Sequence, residues 1–376
     1  MARRRHEHVS NLTMPQPDPS SPILIVGPSW VGDMVMAASL VAALRARYPG
    51  RPIDMLAPPA ALPMATLIEG VRNTIPLGLG HGEFGLVARW KLGRSLRSAG
   101  YGTAIILPRA FKAAIPTFAA GIPERIGYSA EGRAILLTDA RPDSERKTAR
   151  TIDRFVALAN PREAVVARSA SPSPASSSPA SPRPVLRHPD APSAELLDKF
   201  GLVGKGPVLG LCPGAEYGPA KRWPAEKFAG LARLAHGRGY RVRLFGGPKD
   251  RAITAEIADK AGVPVDDLAG RTSLVEAATL LSACDVVVSN DSGLMHVAGA
   301  LDRPLVVLYG SSSEKMTPPT APNAEVVSLD LSCRPCHKRV CPLGTLACLE
   351  GIDPVTVFAA VNRVADTARR AGSSIA

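Results

Sequence analysis

ILIVGPSWVGDMV, residues 23–35, decides the fold. Four apolar residues suit a short buried strand. A glycine-bounded loop follows. Then Met34, Ala38, Val41 and Leu44 recur every three to four residues until Pro49-Gly50 stops the pattern. The stretch reads as strand, turn and helix. Gly27 and Gly32 have the spacing of a phosphate-cradling P-loop, but Asp33 stands where that loop carries lysine, and Met34 where it carries Ser or Thr. A carboxylate repels phosphate, so the turn has another task.

Working outward, the alternation continues. PIDMLAP, NTIPL, YGTAIILP, RIGYS and ILLTDA read as strands. Between and after them LPMATLIEG, EFGLVARWKLGRSLRSAG, FKAAIPTFAAG and TARTIDRFVALAN read as helices. Such alternation predicts a parallel sheet covered on both faces. Residues 167–193 break the pattern with a Ser/Pro/Ala-rich run that cannot pack a core and reads as a linker. Alternation then resumes from PVLGLC to PLVVLYG and ends in DPVTVFAAVNRVADTARR. The expected organisation is a disordered tail over 1–21, a Rossmann-like domain over 22–166, the linker over 167–193, a second Rossmann-like domain over 194–350, and a terminal helix and tail over 351–376. Two facing α/β halves suit the GT-B glycosyltransferase architecture, some epimerases and, less well, two-domain dehydrogenases.

The 376 residues carry a formal charge of +12, which suits an anionic partner. Aromatics are only 5%, which excludes a stacking platform for single-stranded nucleic acid, and no nucleic-acid partner is expected. No stretch approaches the ~20 apolar residues of a membrane helix, and the basic N-terminus lacks the apolar core of a secretory signal. A cytoplasmic location is expected, with at most surface contact to a membrane.

Three strand-end loops in the second half suit a diphosphate. In SNDSGLMHVAGAL, residues 289–301, a strand runs through Asp291, Ser292 and Gly293 into a helix whose first amides are unpaired, with His296 one turn on. An N-cap with a core histidine is the plainer reading. In CPGAEYGPAKRWP, residues 212–224, Gly214 and Ala215 are small, and Lys221 can neutralise a leaving diphosphate; a basic surface at a helix start, with Trp223 in the core, is the alternative. FGGPKD, residues 245–250, offers Gly246 and Gly247. If the nucleotide sits here, the first half binds the other substrate. Asp33 at a helix N-terminus, held ionised by the dipole, can take a proton from an attacking hydroxyl. It can equally be a helix cap.

CRPCHKRVCPLGTLAC places Cys333, Cys336, Cys341 and Cys348 in one loop. These are enough ligands for a structural zinc, with His337 as a substitute; free or redox-labile thiols are the other reading. The loop is expected to stand apart from the chemistry.

GPSWVGDMVM, LGHGEF, FKAAIPTFAAGIPERIGY, CPGAEYGPAKRWP, LFGGPKD and NDSGLMHVAGAL together resemble glycosyltransferase family 9, the lipopolysaccharide heptosyltransferases, in family order across nearly all of residues 23–310. The resemblance implies a GT-B fold and inverting transfer of L-glycero-D-manno-heptose from ADP-heptose, with no metal or other cofactor required. The implied acceptor is the first heptose of the Kdo-lipid A inner core, met at the cytoplasmic face of the inner membrane. It implies Asp33 as base, Lys221 as diphosphate contact, and Asp291, Ser292, Gly293 and His296 lining the donor site. Lys112 and Arg125 would meet the anionic acceptor. LPRAFK departs from the family pattern, with Arg109 and Ala110 where small polar residues are expected. Another sugar transferase of the family, a nucleotide-sugar 2-epimerase of the same fold, and a non-catalytic binder of anionic lipid are the alternatives.

Overall fold

The computed structural model describes residue 18 and residues 20–80, 82–144, 149–161, 181–189, 191–202 and 204–373. The first half holds β1 (Ile23–Val26), β2 (Ile53–Ala57), β3 (Val71–Pro76), β4 (Thr103–Ile106), β5 (Glu124–Tyr128) and β6 (Asp139–Arg141). Its helices are α1 (Val31–Arg47), α2 (Leu62–Leu67), α3 (Leu86–Ser95), α4 (Ile115–Ala119) and α5 (Thr151–Ala157). The second half holds β7 (Val208–Cys212), β8 (Arg241–Leu244), β9 (Val265–Asp267), β10 (Val286–Asn290), β11 (Leu305–Tyr309) and β12 (Ala324–Ser328). Its helices are α6 (Ala194–Lys199), α7 (Ala225–His236), α8 (Arg251–Ala261), α9 (Leu274–Ser282), α10 (Gly293–Ala300), α11 (Ala347–Glu350) and α12 (Pro354–Ser373).

The sheets run β3-β2-β1-β4-β5-β6 and β12-β11-β10-β7-β8-β9. Every pairing is parallel. Each half thus lays two strands to one side of its first strand, then jumps to the other side for the remaining three. The order reverses between β1 and β4 and between β7 and β10, and ligands of open α/β sheets bind outside the carboxyl ends at such points. Those ends carry the loop before Asp33 and the loops holding Lys221 and Asp291. Helices cover both sheet faces, so the central strands are buried at every residue.

One apolar core runs through both halves, joining Met34, Val35 and Ala38 of α1 to Met295 and Val297 of α10. The outer faces of the two sheets have separate cores. α1 and α10 approach closely because small residues line the seam. A Cβ on Gly293 would lie 3.2 Å from Cβ of Val31, and one on Gly32 would lie 2.8 Å from the His296 ring.

Two expectations are corrected. ILLTDA is not a strand throughout: residues 133–136 form a short 3-10 turn and only 139–141 pair, because Arg133 is buried under the preceding loop with its guanidinium donating to the carbonyls of Tyr128 and Pro108. The Ser/Pro-rich segment is not a free linker at its far end. Leu186 is fully buried, bridges Ile68 of the first half and donates its N–H to the carbonyl of Ala300 in the second at 3.0 Å. Arg187 N–H bonds Leu67 O, and Arg183 pairs with Asp302. Residues 167–180 and 190 of that segment, and nearly all of the expected tail, lie outside the described residues.

Candidate active site

Asp33 lies in the first turn of α1, whose N-cap Trp30 makes no side-chain capping bond. The carboxylate accepts no hydrogen bond among the described residues, so it does not serve as a cap. Burial raises its pKa to about 6, against the pull of Arg154 from its own half and Lys221 from the other. The dipole does not hold it fully ionised, as the sequence suggested; desolvation wins. A carboxyl near 6 is ionised at neutral pH yet basic enough to accept a proton.

Asp33 faces a cleft of about 530 Å³ in the first half. Arg89, Arg109, Lys112 and Arg154 line the same cleft, in which Asp33 is the one carboxylate among the described lining residues. Lys112 is at the cleft wall, its Nζ donating to Glu83 O at 2.9 Å. Arg125 is not at the cleft. Its guanidinium bonds Leu136 O and Ile122 O and lies over the Phe118 ring, so local carbonyls take its donors. Sequence reasoning passed over Arg154 and Arg89. Arg154 reaches the site because α5 packs on α1; it shares Asp143 with Arg109. Arg89 is buried, its donors on Phe84 O and Glu83 O.

Across the seam, Lys221 ends a short turn after β7 and its Nζ lies 2.5 Å from Asp291 Oδ2 at the end of β10. The ammonium also lies over the Tyr217 ring at 5.1 Å. Asp291 therefore positions the lysine and is itself spent. Ser292 caps α10 without a side-chain bond to its amides, and its Oγ lies 3.2 Å from Ser289 Oγ. The first-turn amides at the Gly293 end of α10 have no intrahelical partner. Asn290 binds Pro213 O and receives Trp223 N–H, which locks the two loops together. Trp223 is core, as the alternative reading of that loop had it, with its indole N–H on Ile352 O.

His296 supplies no charge. Burial lowers its pKa to about 4, and its Nδ1 has no hydrogen-bond partner among the described residues. Its ring instead packs against Gly32, beside Asp33. Gly214 and Gly246 do not offer open backbone either. A Cβ on Gly214 would meet the Asp250 carboxylate at 2.5 Å, and one on Gly246 would meet Asp250 Cβ at 2.7 Å. Gly247 donates its N–H to that carboxylate at 2.9 Å. These glycines make room for Asp250. Ala215 is buried and gives its carbonyl to Arg222.

The cysteine loop holds free thiols, and its expected separation from the site is corrected. Cys333, Cys336, Cys341 and Cys348 line one cavity of about 30 Å³. Yet among the described residues no three His, Cys, Asp or Glu groups are gathered to hold a metal. Cys348 is sunk in the core while Cys333 is exposed. Amides of Leu346 and Leu343 lower the pKa of the Cys341 thiol. The loop also does not stand apart from the site. Ala220 donates its N–H to Arg339 O at 3.0 Å, Tyr217 OH donates to His337 O, and a Cβ on Gly218 would strike the Arg339 carbonyl. It braces the turn that carries Lys221.

Two facing Rossmann-type sheets with the cleft at their carboxyl ends define a glycosyltransferase fold of the GT-B type. The family model of glycosyltransferase family 9 (heptosyltransferase) matches residues 89–347. The chain is 42% identical to lipopolysaccharide heptosyltransferase 2 of Salmonella typhimurium over 311 residues, 82% of this chain and 88% of that protein. The same figures hold for lipopolysaccharide heptosyltransferase 2 of Escherichia coli. The solved structure of E. coli ADP-heptose lps heptosyltransferase II superposes with a TM-score of 0.79 at 37% identity, covering 93% of this chain and 99% of that one. This chain belongs to glycosyltransferase family 9, and it is a glycosyltransferase.

Proposed function

We propose that this protein moves L-glycero-D-manno-heptose from ADP-heptose onto the first heptose of the lipopolysaccharide inner core, with inversion and without a metal. The observation that carries this reading is Asp33: an unbonded carboxylate with a pKa of about 6, set between a cation-lined cleft and the N-terminus of α10. The similar enzymes are named heptosyltransferases, which disfavours the epimerase and the non-catalytic binder.

In the proposed step Asp33 removes the proton from an acceptor hydroxyl as that oxygen attacks the anomeric carbon of the donor. The bond from that carbon to the diphosphate oxygen breaks, and ADP leaves with the electron pair. Lys221 and the amides at Gly293 stabilise the charge that grows on the diphosphate. Arg109, Lys112 and Arg154 suit an acceptor bearing carboxylates and phosphates. Asp291 holds Lys221 in place. No helix among the described residues is long and apolar enough to cross a membrane; the protein works from the cytoplasmic side and meets its lipid-linked acceptor at the inner-membrane surface. The test is ADP release with ADP-heptose, with and without heptosyl-Kdo2-lipid A. Acceptor-dependent release supports the proposal. Donor isomerisation alone, or no release with either, overturns it.

A further inference from the structure

Resting on transfer to a lipid-linked acceptor, we propose that the outer face of α3, together with Phe118 of α4, is the surface by which this protein docks on an anionic lipid bilayer. α3 seats Arg89 and Gly93 inward, and Gly93 lets the carbonyl of Pro116 approach its backbone closely. At ~100° per residue, Val87, Lys91 and Arg94 then fall on the opposite side, and Trp90 on the flank beside Phe118. Val87 is 64% exposed, Trp90 43% and Phe118 40%. The Trp90 and Phe118 rings lie 6.3 Å apart, so the two helices share one apolar surface. Phe84, just ahead of α3, is 52% exposed.

Large apolar side chains gathered in one exposed patch mark a docking site rather than ordinary surface. The charge around them selects the occupant. From Gly80 to Pro123 the chain carries six Lys and Arg residues and one carboxylate, Glu83. Lys91 and Arg94 are exposed on the face itself. Tryptophan and other apolar groups bordered by cations fit the headgroup boundary of an anionic bilayer, where the rings enter and the cations meet lipid phosphates. The position fits as well. Gly80, Gly82, Arg89 and Lys112 line the cleft of Asp33, and Lys112 ties itself to Glu83 O, next to exposed Phe84. One segment is thus wall of the cleft on its inner side and apolar rim on its outer side. A sugar carried on a lipid anchor would reach Asp33 without leaving the bilayer.

The test is co-sedimentation of the full chain with vesicles of 30% phosphatidylglycerol in phosphatidylcholine, and with pure phosphatidylcholine, in the absence of any substrate. The wild type should partition onto the anionic vesicles and release at high salt. Lys91→Glu with Arg94→Glu should lower that partitioning by roughly 30-fold or more, and Val87→Ser with Trp90→Ser should lower it too. The charge-reversal variant alters only exposed side chains. It should keep the wild-type melting point and the wild-type turnover of a deacylated, water-soluble acceptor, while losing turnover of acceptor embedded in vesicles. Wild-type protein without preference for anionic vesicles overturns the proposal, as does a charge-reversal variant that binds them like wild type. Because partitioning is read without substrates, a failure of the transfer reaction would appear separately, as absent turnover of both acceptors.

Discussion

Asp33→Asn should make the protein more stable and nearly inactive, and the pH dependence of the stability gain should follow the ionisation of Asp33. Burial raises the carboxyl from 3.8 to about 6, a little over two units. At ~1.4 kcal/mol per unit this is about 3 kcal/mol. Between pH 4 and 6 the folded chain keeps a proton that the unfolded chain has released, so stability falls as pH rises through that window. Above pH 6 the folded state carries the cost of a half-buried, unbonded carboxylate. Asparagine has the same shape and no charge, so the variant escapes that cost. Denaturant unfolding should show a gain of about 3 kcal/mol at pH 8, shrinking to near zero at pH 4. The opposing pH dependence of His296 is common to both proteins and cancels in the difference. The same substitution should lower kcat by ~10²–10⁴-fold, the usual cost of a lost general base. No gain at pH 8, or an equal gain at pH 4, would refute the reasoning.

Lys221→Ala should weaken ADP binding by calorimetry and lower kcat by ~10²-fold, since charge builds on the departing diphosphate. It should also move the acid limb of the pH–rate profile upward, because Lys221 holds the Asp33 pKa down; an unmoved limb would separate the two residues. Gly32→Ala places a methyl 2.8 Å from the His296 ring; it should cost ~1–3 kcal/mol of stability, and a neutral effect would mean the α1–α10 seam is loose. Leu186→Ala should destabilise by ~2–5 kcal/mol in denaturant unfolding, because Leu186 is buried where the two halves meet.

The central strands were legible because a parallel strand buried on both faces reads as an apolar run closed by Gly or Pro. β9 and β12 were not. β9 carries a single apolar residue before two aspartates, and β12 is a half-exposed edge. The loops at the carboxyl ends of β1, β7 and β10 were legible because their chemistry is contiguous in sequence. Arg154 and Arg89 were not, because α5 and α3 bring them to the cleft by packing, which leaves no local motif. Arg125 was misplaced for the converse reason: a basic residue in a motif reads as available charge, but its donors go to the carbonyls of Ile122 and Leu136. Asp250 went unremarked, although the glycines around it are small so that its carboxylate fits. Leu186 was hidden in Ser/Pro-rich surroundings, where one apolar residue gives no period.

The central claim is that Asp33 is the base, and the pH dependence of kcat/KM with ADP-heptose and acceptor tests it most directly. The profile should fall with unit slope below about pH 6, where Asp33 becomes protonated. In Asp33→Asn that limb should vanish along with most of the activity. An acid limb near the ordinary carboxylate value, or an Asn variant that keeps both the limb and activity within a few-fold of wild type, would contradict it.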